Sequence, residues 1–268
     1  MKPTTDLLAA VLTLVEQTGT FQLEHFRTFA AGAGSEKQAR ELVSAVDVES
    51  EQRLIEGLGR LLPEAGFYGE ESGLQGDRTL RWVIDPLDGT TNYLSGLDQF
   101  CISVALEREG RSELGVVWRP ASAESFSAVR GAGLFYNRRR CRRVPPLALQ
   151  QALVGTGFPY RSEDLADPFF ACAREVLYRC RGIRRFGSAA LDLCYVAAGF
   201  LQGFWETDLQ PYDVAAALLF LEESGCVTSN EHGVRYSPYD DRILVAGFPG
   251  VHAELLPLIS SHYAPPPR

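Results

Sequence analysis

Two aspartates, a glycine and two threonines follow one another closely in the segment WVIDPLDGTTNY, residues 82–93. The proline between the aspartates disfavours helical geometry for the residue before it, so Asp85 is predicted to end an extended strand. The turn then brings Asp88 back toward Asp85, and two carboxylates this close repel each other unless a proton or a cation bridges them. Gly89 lets the backbone approach a ligand, and Thr90 starts a predicted helix whose free N–H groups favour an anion. The pattern therefore indicates one short loop that holds both a metal ion and a phosphate.

Further carboxylates occur where they can complete such a site. Glu70 belongs to GEES, residues 69–72, shortly before the loop, and Glu206 ends an apolar strand, where it is expected to face a cleft. Asp213 lies in the first turn of an apolar helix, and Asp47 stands just before a predicted helix. Taken singly, each has a plain structural explanation as a surface charge or a helix cap, and DPLDG alone is ordinary turn chemistry. Their combination with an apolar strand and a hydroxyl-rich helix start favours a metal site.

The donor types and their spacing restrict the chemistry. Carboxylate and hydroxyl oxygens suit a hard cation such as Mg²⁺, whereas a soft metal needs histidine or cysteine, and the chain has only 4 histidines and no zinc-type spacing. No cysteine has an arginine six positions later, which counts against a thiol phosphatase. Asp85 and Asp88 do not form the D-x-D of aspartyl-phosphate enzymes, and no G-x-x-x-x-G-K loop occurs. Of the phosphate chemistries considered, the one that remains is direct attack of a metal-activated water on the phosphate.

The charge of the chain limits its partners. A net charge of -8 at pH 7 argues against a general nucleic-acid binder. The arginine-rich segment NRRRCRR, residues 137–143, is a local exception. Two interpretations stay open for it: a solvated hairpin loop, which we favour, or a docking patch for RNA or an acidic partner.

Composition also bears on the compartment. No apolar run approaches the ~20 residues that a membrane-spanning helix requires. The first apolar stretch has helical spacing and is bounded by acidic residues, so an amphipathic helix is favoured over a signal peptide. The 6 cysteines form no C-x-x-C pair and most lie in apolar surroundings, as buried reduced thiols do. We expect a cytoplasmic protein with no membrane partner.

Hydrophobic periodicity divides the chain into two predicted lobes, joined near VPPLAL, residues 144–149. The first, residues 1–147, is predicted to be α+β with a largely antiparallel sheet, and the second, residues 148–268, to be α/β; together they form one compact unit. Helices are predicted at 6–29, 48–62, 168–179, 188–198, 211–224 and the C-terminus. Strands are predicted at 80–85, 100–108, 113–119 and 125–130 and in LVGTGF, GIRRF, QGFWE, CVTS and ILVAG, with a turn at GAGLFYN.

Several segments, in order, resemble the inositol monophosphatase family of Mg²⁺-dependent, lithium-sensitive phosphatases, particularly its bacterial branch. The matching segments are GEES (69–72), WVIDPLDGTTNY (82–93), GAGLFYN (131–137), GTGFPY (155–160), GSAALDLCYVAAG (187–199) and PYDVAAALLFLEESG (211–225). The likeness runs from about Val11 to Gly247. It implies a layered αβαβα sandwich, usually dimeric, with two to three Mg²⁺ ions in each site.

The resemblance also implies metal ligands. Glu70, Asp85 and the Leu87 carbonyl would bind the first ion. Asp85, Asp88 and Asp213 would bind the second, and Glu70 would help to position a third, weaker one. One half of the metal centre would thus lie in the predicted loop and the other half far along the chain.

Catalytic and substrate-binding roles follow in the same way. Thr90, with Asp47 nearby, would orient the attacking water together with Glu70, and the N–H groups of Gly89 and Thr90 would hold the phosphate. The alcohol part of the substrate would meet Gly187, Ser188 and Ala189, and its hydroxyl groups would meet Glu206. The implied substrate contacts are Asp88, Gly89, Thr90, Gly187, Ser188, Ala189, Glu206 and Asp213.

Some residues depart from the family pattern. Glu41 and Ser44 replace the usual Asp and Thr in the mobile loop that the resemblance places at residues 37–47. Tyr212 replaces the usual Trp before the helix aspartate, and Arg138 replaces the usual Gly after Asn137. The changes at Glu41 and Ser44 concern closure of the loop. The change at Tyr212 concerns the pocket wall, and Arg138 belongs to the arginine-rich hairpin.

The sequence thus predicts a phosphoric monoester hydrolase that uses Mg²⁺ to hydrolyse a small polyol or sugar phosphate, with inositol 1-phosphate as the leading substrate. Histidinol phosphate, 3′-phosphoadenosine 5′-phosphate and fructose 1,6-bisphosphate are the alternatives. Arg184 and Arg185 are equally open to two interpretations, as receptors for a second phosphate or as surface charge. A phosphatase scaffold that also binds RNA or transcription machinery is the alternative from another class. We further expect a homodimer.

Overall fold

The computed structural model describes residues 3–28, 36–142, 144–160 and 162–263, with backbone alone for 36–43. The helices are α1 (Thr5–His25), α2 (Glu36–Leu61), α3 (Thr90–Leu94), α4 (Ala166–Arg179), α5 (Ala189–Ala198), α6 (Pro211–Ser224) and α7 (Pro249–Tyr263). The strands are β1 (Gly66–Gly69), β2 (Gly73–Gln75), β3 (Leu80–Asp88), β4 (Cys101–Arg108), β5 (Arg111–Arg119), β6 (Glu124–Val129), β7 (Leu134–Tyr136), β8 (Arg139–Arg140), β9 (Leu153–Thr156), β10 (Gly182–Arg184), β11 (Gly203–Thr207), β12 (Val227–Ser229) and β13 (Ile243–Gly247).

The first sheet has the strand order β2-β1-β3-β4-β5-β6-β7-β8. Only β1 and β3 pair in parallel; the other neighbours are antiparallel, as the sequence predicts. Every residue of β4 from Cys101 to Glu107 is buried, so this strand shows no alternation of apolar and polar positions. Such a pattern requires helices on both faces of the sheet.

The second sheet has the order β10-β9-β11-β13-β12. The strands β10, β9 and β11 are parallel neighbours, while β13 is antiparallel to both β11 and β12. Because parallel strands end at the same edge of a sheet, the residues that follow β9 and β10 lie beside the end of β11. That shared edge carries much of the candidate site described below.

Five layers result, which confirms the predicted αβαβα sandwich. The helices α1 and α2 cover the outer face of the first sheet, and α4 and α7 cover the outer face of the second. Between the sheets lie α5 and α6, which share one buried cluster with residues of both sheets, including Phe126, Phe204 and Phe220. The site-bearing helices are thus fixed on two sides.

The helix α2 begins at Glu36, whereas the sequence pattern predicts a helix only from residue 48. Residues 36–47 contain neither Gly nor Pro, so nothing in their intrinsic preference interrupts the helix. Asp47 therefore lies inside α2 and not before it, and the prediction that it precedes a helix is wrong. The predicted mobile loop at 37–47 has helical backbone; the side chain of Glu41 lies outside the described residues.

The other predicted elements agree with the structure to within a few residues. In GAGLFYN the turn occupies only the first part, and Leu134–Tyr136 forms β7. All 6 cysteines are free thiols. No helix in the described ranges is long and apolar enough to cross a membrane. The division into lobes of 1–147 and 148–268 stays a prediction.

The contact between β5 and α6 yields a stability prediction. A Cβ atom at Gly115 would lie 2.9 Å from the Phe220 ring and 3.2 Å from backbone atoms of Ala216, so this glycine lets α6 approach the sheet. We expect Gly115→Ala to lower the free energy of unfolding by about 1–3 kcal/mol through overpacking. Gly59→Ala, in α2 with only ordinary contacts, is the control and should be neutral or slightly stabilising. Urea unfolding measures both; equal midpoints would contradict the prediction.

Candidate active site

The two aspartates of the 82–93 loop are brought together by an irregularity in β3. Its pairing with β4 shifts register between Asp85 and Asp88, so the strand bulges where the proline stands. Asp85 is fully buried, and its Oδ1 accepts a hydrogen bond from the Leu87 N–H at 3.0 Å. Bulges commonly re-aim side chains beside active sites. Here the bulge turns both carboxylates to the same region, as predicted.

The third carboxylate of this group comes from the other end of the chain. Asp213 is the third residue of α6, and its Oδ2 accepts the Gln210 N–H at 2.7 Å, which fixes its orientation as a helix-capping residue. Carboxylate oxygens of Asp85, Asp88 and Asp213 lie within 4.8 Å of one another. The structure therefore gathers the residues that the resemblance assigns to the second metal ion, and they could hold a cation.

A second acidic group lies beside the first. Carboxylate oxygens of Asp47, Glu70 and Glu71 are also within 4.8 Å of one another. Glu70, which the resemblance assigns to the first ion with Asp85, belongs to this second group, and its charge also helps to raise the pKa of Asp85. The Leu87 carbonyl, the other predicted ligand of that ion, accepts a hydrogen bond from the Thr90 hydroxyl at 3.0 Å.

The electrostatics of both groups favour a bound cation. Burial raises the pKa of Asp47 to about 8, and the charges of Glu70 and Glu71 add to the effect. Burial likewise raises the pKa of Asp85 well above its usual range, followed by the neighbouring charge of Asp88. Asp47 Oδ1 is buried with no hydrogen-bond partner in the described part of the chain. Crowded carboxylate oxygens of this kind fit a hard divalent cation.

Asp88 is held from the second half of the chain. The Ser188 hydroxyl donates to its Oδ2 at 2.6 Å, and the Ala190 N–H donates to the same oxygen at 2.7 Å. Ser188 is also the N-cap of α5, since it accepts the Leu191 N–H. Burial raises the pKa of Asp88 while these hydrogen bonds lower it. Ser188 and Asp88, both predicted to meet substrate, are thus in direct contact.

Asn92 ties the loop to the start of α5. Its side-chain N–H₂ group donates to the carbonyls of Gln99 at 2.7 Å, Phe186 at 2.8 Å and Gly187 at 3.3 Å. Because this amide is buried, its hydrogen bonds fix α3 against the segment that precedes α5.

Gly89 has the backbone geometry that the loop requires. Its φ is +95°, and a Cβ there would lie 2.6 Å from the Gln99 carbonyl oxygen. The helix α3 that follows has only five residues, so its macrodipole is weaker than the sequence pattern suggests. The predicted phosphate contact would therefore depend on the individual N–H groups of Gly89 and Thr90.

Next to the first acidic group lies a cleft of about 170 Å³. Asp88 and Asp213 form one end of it, and the segment Gly187–Ala189 and Glu206 line its wall. A Cβ at Gly157 would overlap the Glu206 carboxylate, so this glycine makes room for it. All residues predicted to meet the alcohol part of the substrate therefore border one cleft.

Glu206 has an electrostatic environment of its own. Burial raises its pKa well above the usual range, and the charges of Asp192 and Asp213 add to the effect, while Arg185 opposes it. Asp192, on α5, is buried, lines the same cleft, and its Oδ1 has no hydrogen-bond partner among the described residues. The cleft wall is therefore acidic.

The sequence analysis did not identify two buried acidic residues near the site, Glu51 and Asp192. Glu51 is buried and accepts the N–H groups of Glu71 at 2.9 Å and Ser72 at 2.8 Å, so it holds the GEES segment in place. Its spacing of four from Asp47 on one helix is the signal that could have found it. For Asp192 the signal was an acid within the otherwise apolar stretch of α5.

Comparison with known proteins identifies the family. The family model of the inositol monophosphatase family matches residues 4–263. The chain belongs to the inositol monophosphatase family. It is 44% identical over 199 residues to the inositol-1-monophosphatase of Rhizobium meliloti (strain 1021), covering 74% of this chain and 75% of that protein. It is also 40% identical over 222 residues to the Nus factor SuhB of Pasteurella multocida (strain Pm70), covering 82% and 83%.

Solved structures agree in fold. An inositol monophosphatase from Anabaena (Nostoc) sp. PCC 7120 superposes with a TM-score of 0.84 at 30% identity, covering 95% of each chain. The expected family and fold are thus confirmed. Membership of this metal-dependent inositol monophosphatase family makes the chain a phosphoric monoester hydrolase, and its two acidic groups could bind the metal.

The raised pKa of Asp47 leads to a pH prediction for the metal-free protein. Between the ordinary value of 3.8 and about 8, folded Asp47 retains a proton that the unfolded chain has lost. The free energy of unfolding should therefore fall as the pH rises through this window. In chelator-treated protein, Asp47→Asn should reduce this loss by on the order of 2 kcal/mol at pH 8.

Urea unfolding between pH 5 and 8 measures the effect. Asp167→Asn, which changes an exposed carboxylate on α4, should leave the pH dependence as in the wild type. Parallel curves for wild type and Asp47→Asn would show that Asp47 titrates normally in the folded protein.

Proposed function

We propose that the protein is a Mg²⁺-dependent phosphatase for a small polyol or sugar phosphate monoester, with inositol 1-phosphate as the leading substrate. The observation that carries the proposal is the convergence of Asp85, Asp88 and Asp213 at the end of a cleft bordered by Glu206. The name of the Rhizobium meliloti relative supports the choice of substrate. A homodimer in the cytoplasm belongs to the same proposal.

Mg²⁺ is the metal that this donor set favours. The first-group carboxylates Asp85, Asp88 and Asp213 would hold it, together with Glu70 and the Leu87 carbonyl. When bound, Mg²⁺ supplies charge neutralisation for the phosphate and lowers the pKa of a coordinated water. The oxygen-only donors and the absence of histidine from both acidic groups support a hard cation of this kind.

The chain's own groups then orient the reactants. Thr90 donates its hydroxyl proton to the Leu87 carbonyl, which leaves the hydroxyl oxygen as an acceptor for a water. Glu70, with Asp47 beside it, would accept a proton from that water. The N–H groups of Gly89 and Thr90 would hold the phosphate oxygens and keep the phosphorus in line with the attack.

The alcohol part of the substrate would lie in the cleft. Glu206 would bind its hydroxyl groups, and the segment Gly187, Ser188 and Ala189 would form the facing wall. Asp88 and Asp213 would border the bond that breaks. A cleft of about 170 Å³ matches one ring of a polyol better than a large alcohol.

Substitution of a central ligand tests the chemistry. We expect Asp85→Asn to lower kcat/KM for inositol 1-phosphate on the order of a hundredfold or more, since loss of a ligand should cost at least as much as loss of its supporting partners. The exposed Asp167→Asn serves as the control. Phosphate release is measured with Mg²⁺, with Mg²⁺ and Li⁺, and after chelation. Near-wild-type turnover by Asp85→Asn would refute the assignment.

A substrate panel tests the specificity in the same assay. It compares inositol 1-phosphate, histidinol phosphate, 3′-phosphoadenosine 5′-phosphate and fructose 1,6-bisphosphate. We expect the highest kcat/KM for inositol 1-phosphate. A higher value for one of the others would replace the leading substrate without changing the reaction class.

One feature favours a second candidate function, binding of RNA or of a transcription complex. The arginine-rich hairpin β7–β8 turns at Asn137 and Arg138, both with positive φ, and exposes Arg139, Arg140 and Arg142. Arg138 forms an ion pair with Glu16 at 3.0 Å, which anchors the hairpin to α1. Arg143 lies outside the described residues. The Pasteurella multocida relative is named a Nus factor, which supports this second role.

Salt dependence tests the second function. If the hairpin binds RNA, joint replacement of Arg139, Arg140 and Arg142 by Gln should weaken binding and reduce the slope of log Kd against log salt by about two to three. Replacement of the exposed Arg53 and Arg60 on α2 is the control. Absence of RNA binding by the wild type at low salt would rule the function out.

A further inference from the structure

We propose that Arg185 forms a subsite at the rim of the cleft for a second phosphate on the alcohol part of the substrate. The inference rests on the proposed function and extends its substrate class to bisphosphates. Arg185 is the one basic side chain among the described residues that line the cleft. The other charged side chains there are carboxylates: Asp88, Asp192, Glu206, Asp208 and Asp213.

The guanidinium of Arg185 is held by two aromatic rings. Its central carbon lies 5.6 Å from the ring centre of Phe158 and 5.3 Å from that of Tyr160. Both rings follow β9, and Arg185 follows β10, its parallel neighbour. Cation–π contacts of this kind orient a guanidinium without using its N–H groups.

The aromatic support continues into the core. The Phe158 ring packs edge-on against Phe169 at 5.4 Å, and Phe169 stacks with Trp205 at 6.0 Å. Both Phe169 and Trp205 are buried. Of the two rings beside Arg185, Phe158 is therefore connected to the buried core, whereas Tyr160 is exposed.

The N–H groups of Arg185 remain available to a ligand. Within the described ranges, Arg185 forms no hydrogen bond or ion pair, although it attracts the charges of Asp192 and Glu206 at longer range. A Cβ at Gly187 would meet Arg185 Nη1, so the guanidinium lies against the segment proposed to bind the alcohol. A planar guanidinium can bind a phosphate through two parallel N–H···O bonds.

Arg184 does not share this environment. It is the last residue of β10, its Nη1 donates to the Ile183 carbonyl at 2.9 Å, and it does not line the cleft. From the sequence, either arginine is a candidate for binding a second phosphate, whereas in the structure only Arg185 lines the cleft. Arg184 is therefore a matched control of the same residue type, one position away.

The acidic wall makes the role of Arg185 selective. In the proposed substrate pose, a monophosphate would present hydroxyl groups to Glu206 and Asp192, whose carboxylate oxygens can accept hydrogen bonds. A second phosphate in the same place would be repelled by these carboxylates unless a cation bound it. Arg185 should therefore contribute much more to the binding of a bisphosphate than to that of a monophosphate.

Two matched pairs of compounds test the inference in the Mg²⁺-loaded enzyme. Fructose 1,6-bisphosphate is compared with fructose 1-phosphate, which lacks only the second phosphate. Glycerol 3-phosphate is compared with 3-phosphoglycerate to learn whether a carboxylate is accepted in place of a phosphate. Each compound is assayed as a substrate and as a competitive inhibitor of inositol 1-phosphate hydrolysis, so that a compound that is turned over slowly still reports its binding.

For Arg185→Gln we expect the ratio of kcat/KM for the bisphosphate to that for fructose 1-phosphate to fall about tenfold, as does the corresponding ratio of inhibition constants. Arg185→Lys, which keeps the charge but loses the planar fork, should give an intermediate ratio. Arg184→Gln should leave the ratio as in the wild type. If Arg185→Gln also lowers the ratio of kcat/KM for 3-phosphoglycerate to that for glycerol 3-phosphate, the subsite binds a carboxylate as well as a second phosphate.

The assays distinguish the absence of a second-phosphate subsite from the absence of phosphatase activity. A wild type that releases no phosphate from any compound contradicts both. A wild type that hydrolyses monophosphates, with equal ratios for Arg185→Gln, Arg184→Gln and wild type, overturns the subsite alone. Equal losses for both fructose phosphates in Arg185→Gln would also overturn it, because Arg185 would then support the cleft in general.

Discussion

The mutual repulsion of buried carboxylates is the constraint on which the rest of the structure depends. Asp85 is buried, and carboxylate oxygens of Asp88 and Asp213 lie within 4.8 Å of a carboxylate oxygen of Asp85. Bringing such groups together costs free energy unless protons or a cation offset the charge. The fold must therefore supply, through its packing, the free energy that keeps this site assembled before a metal binds.

The middle layer of the sandwich provides that support. Asp213 comes from α6, which approaches the first sheet closely because Gly115 has no side chain. Asp88 is oriented by the first turn of α5, and Asn92 links that turn to α3. Each carboxylate is thus fixed by an element distant in sequence, so the site exists only when the layers are assembled.

Local sequence predicted much of this arrangement. The apolar run before Asp85 and the capped apolar helix at Asp213 predict the strand and the helix that form the centre. The turn predicted after Asp85 is instead a bulge within β3, which continues to Asp88. The strand and the helix depend on neighbours in sequence, and here backbone preference and packing favour the same structure.

Other features depend on distant contacts and could not be predicted. Asp47 has the sequence neighbours of a helix cap, yet α2 continues through it, because intrinsic preference is a weak guide to where a helix begins. Arg184 and Arg185 are identical in type and adjacent, and tertiary contacts distinguish them: Arg185 lies beside aromatic rings that follow a different strand.

The topology also separates the candidate metal centre from the residues proposed to meet the rest of the substrate. The first group of carboxylates comes from strand β3 of the first sheet and from the middle helix α6. The outer part of the cleft is formed where the parallel strands β10, β9 and β11 end: Arg185 follows the first, Gly157 and Phe158 follow the second, and Glu206 is near the end of the third. Loops at such an edge can change without disturbing the strands that carry them. Substrate preference can therefore vary at this edge while the carboxylate centre, whose geometry is fixed by packing on both sides, retains the same chemistry.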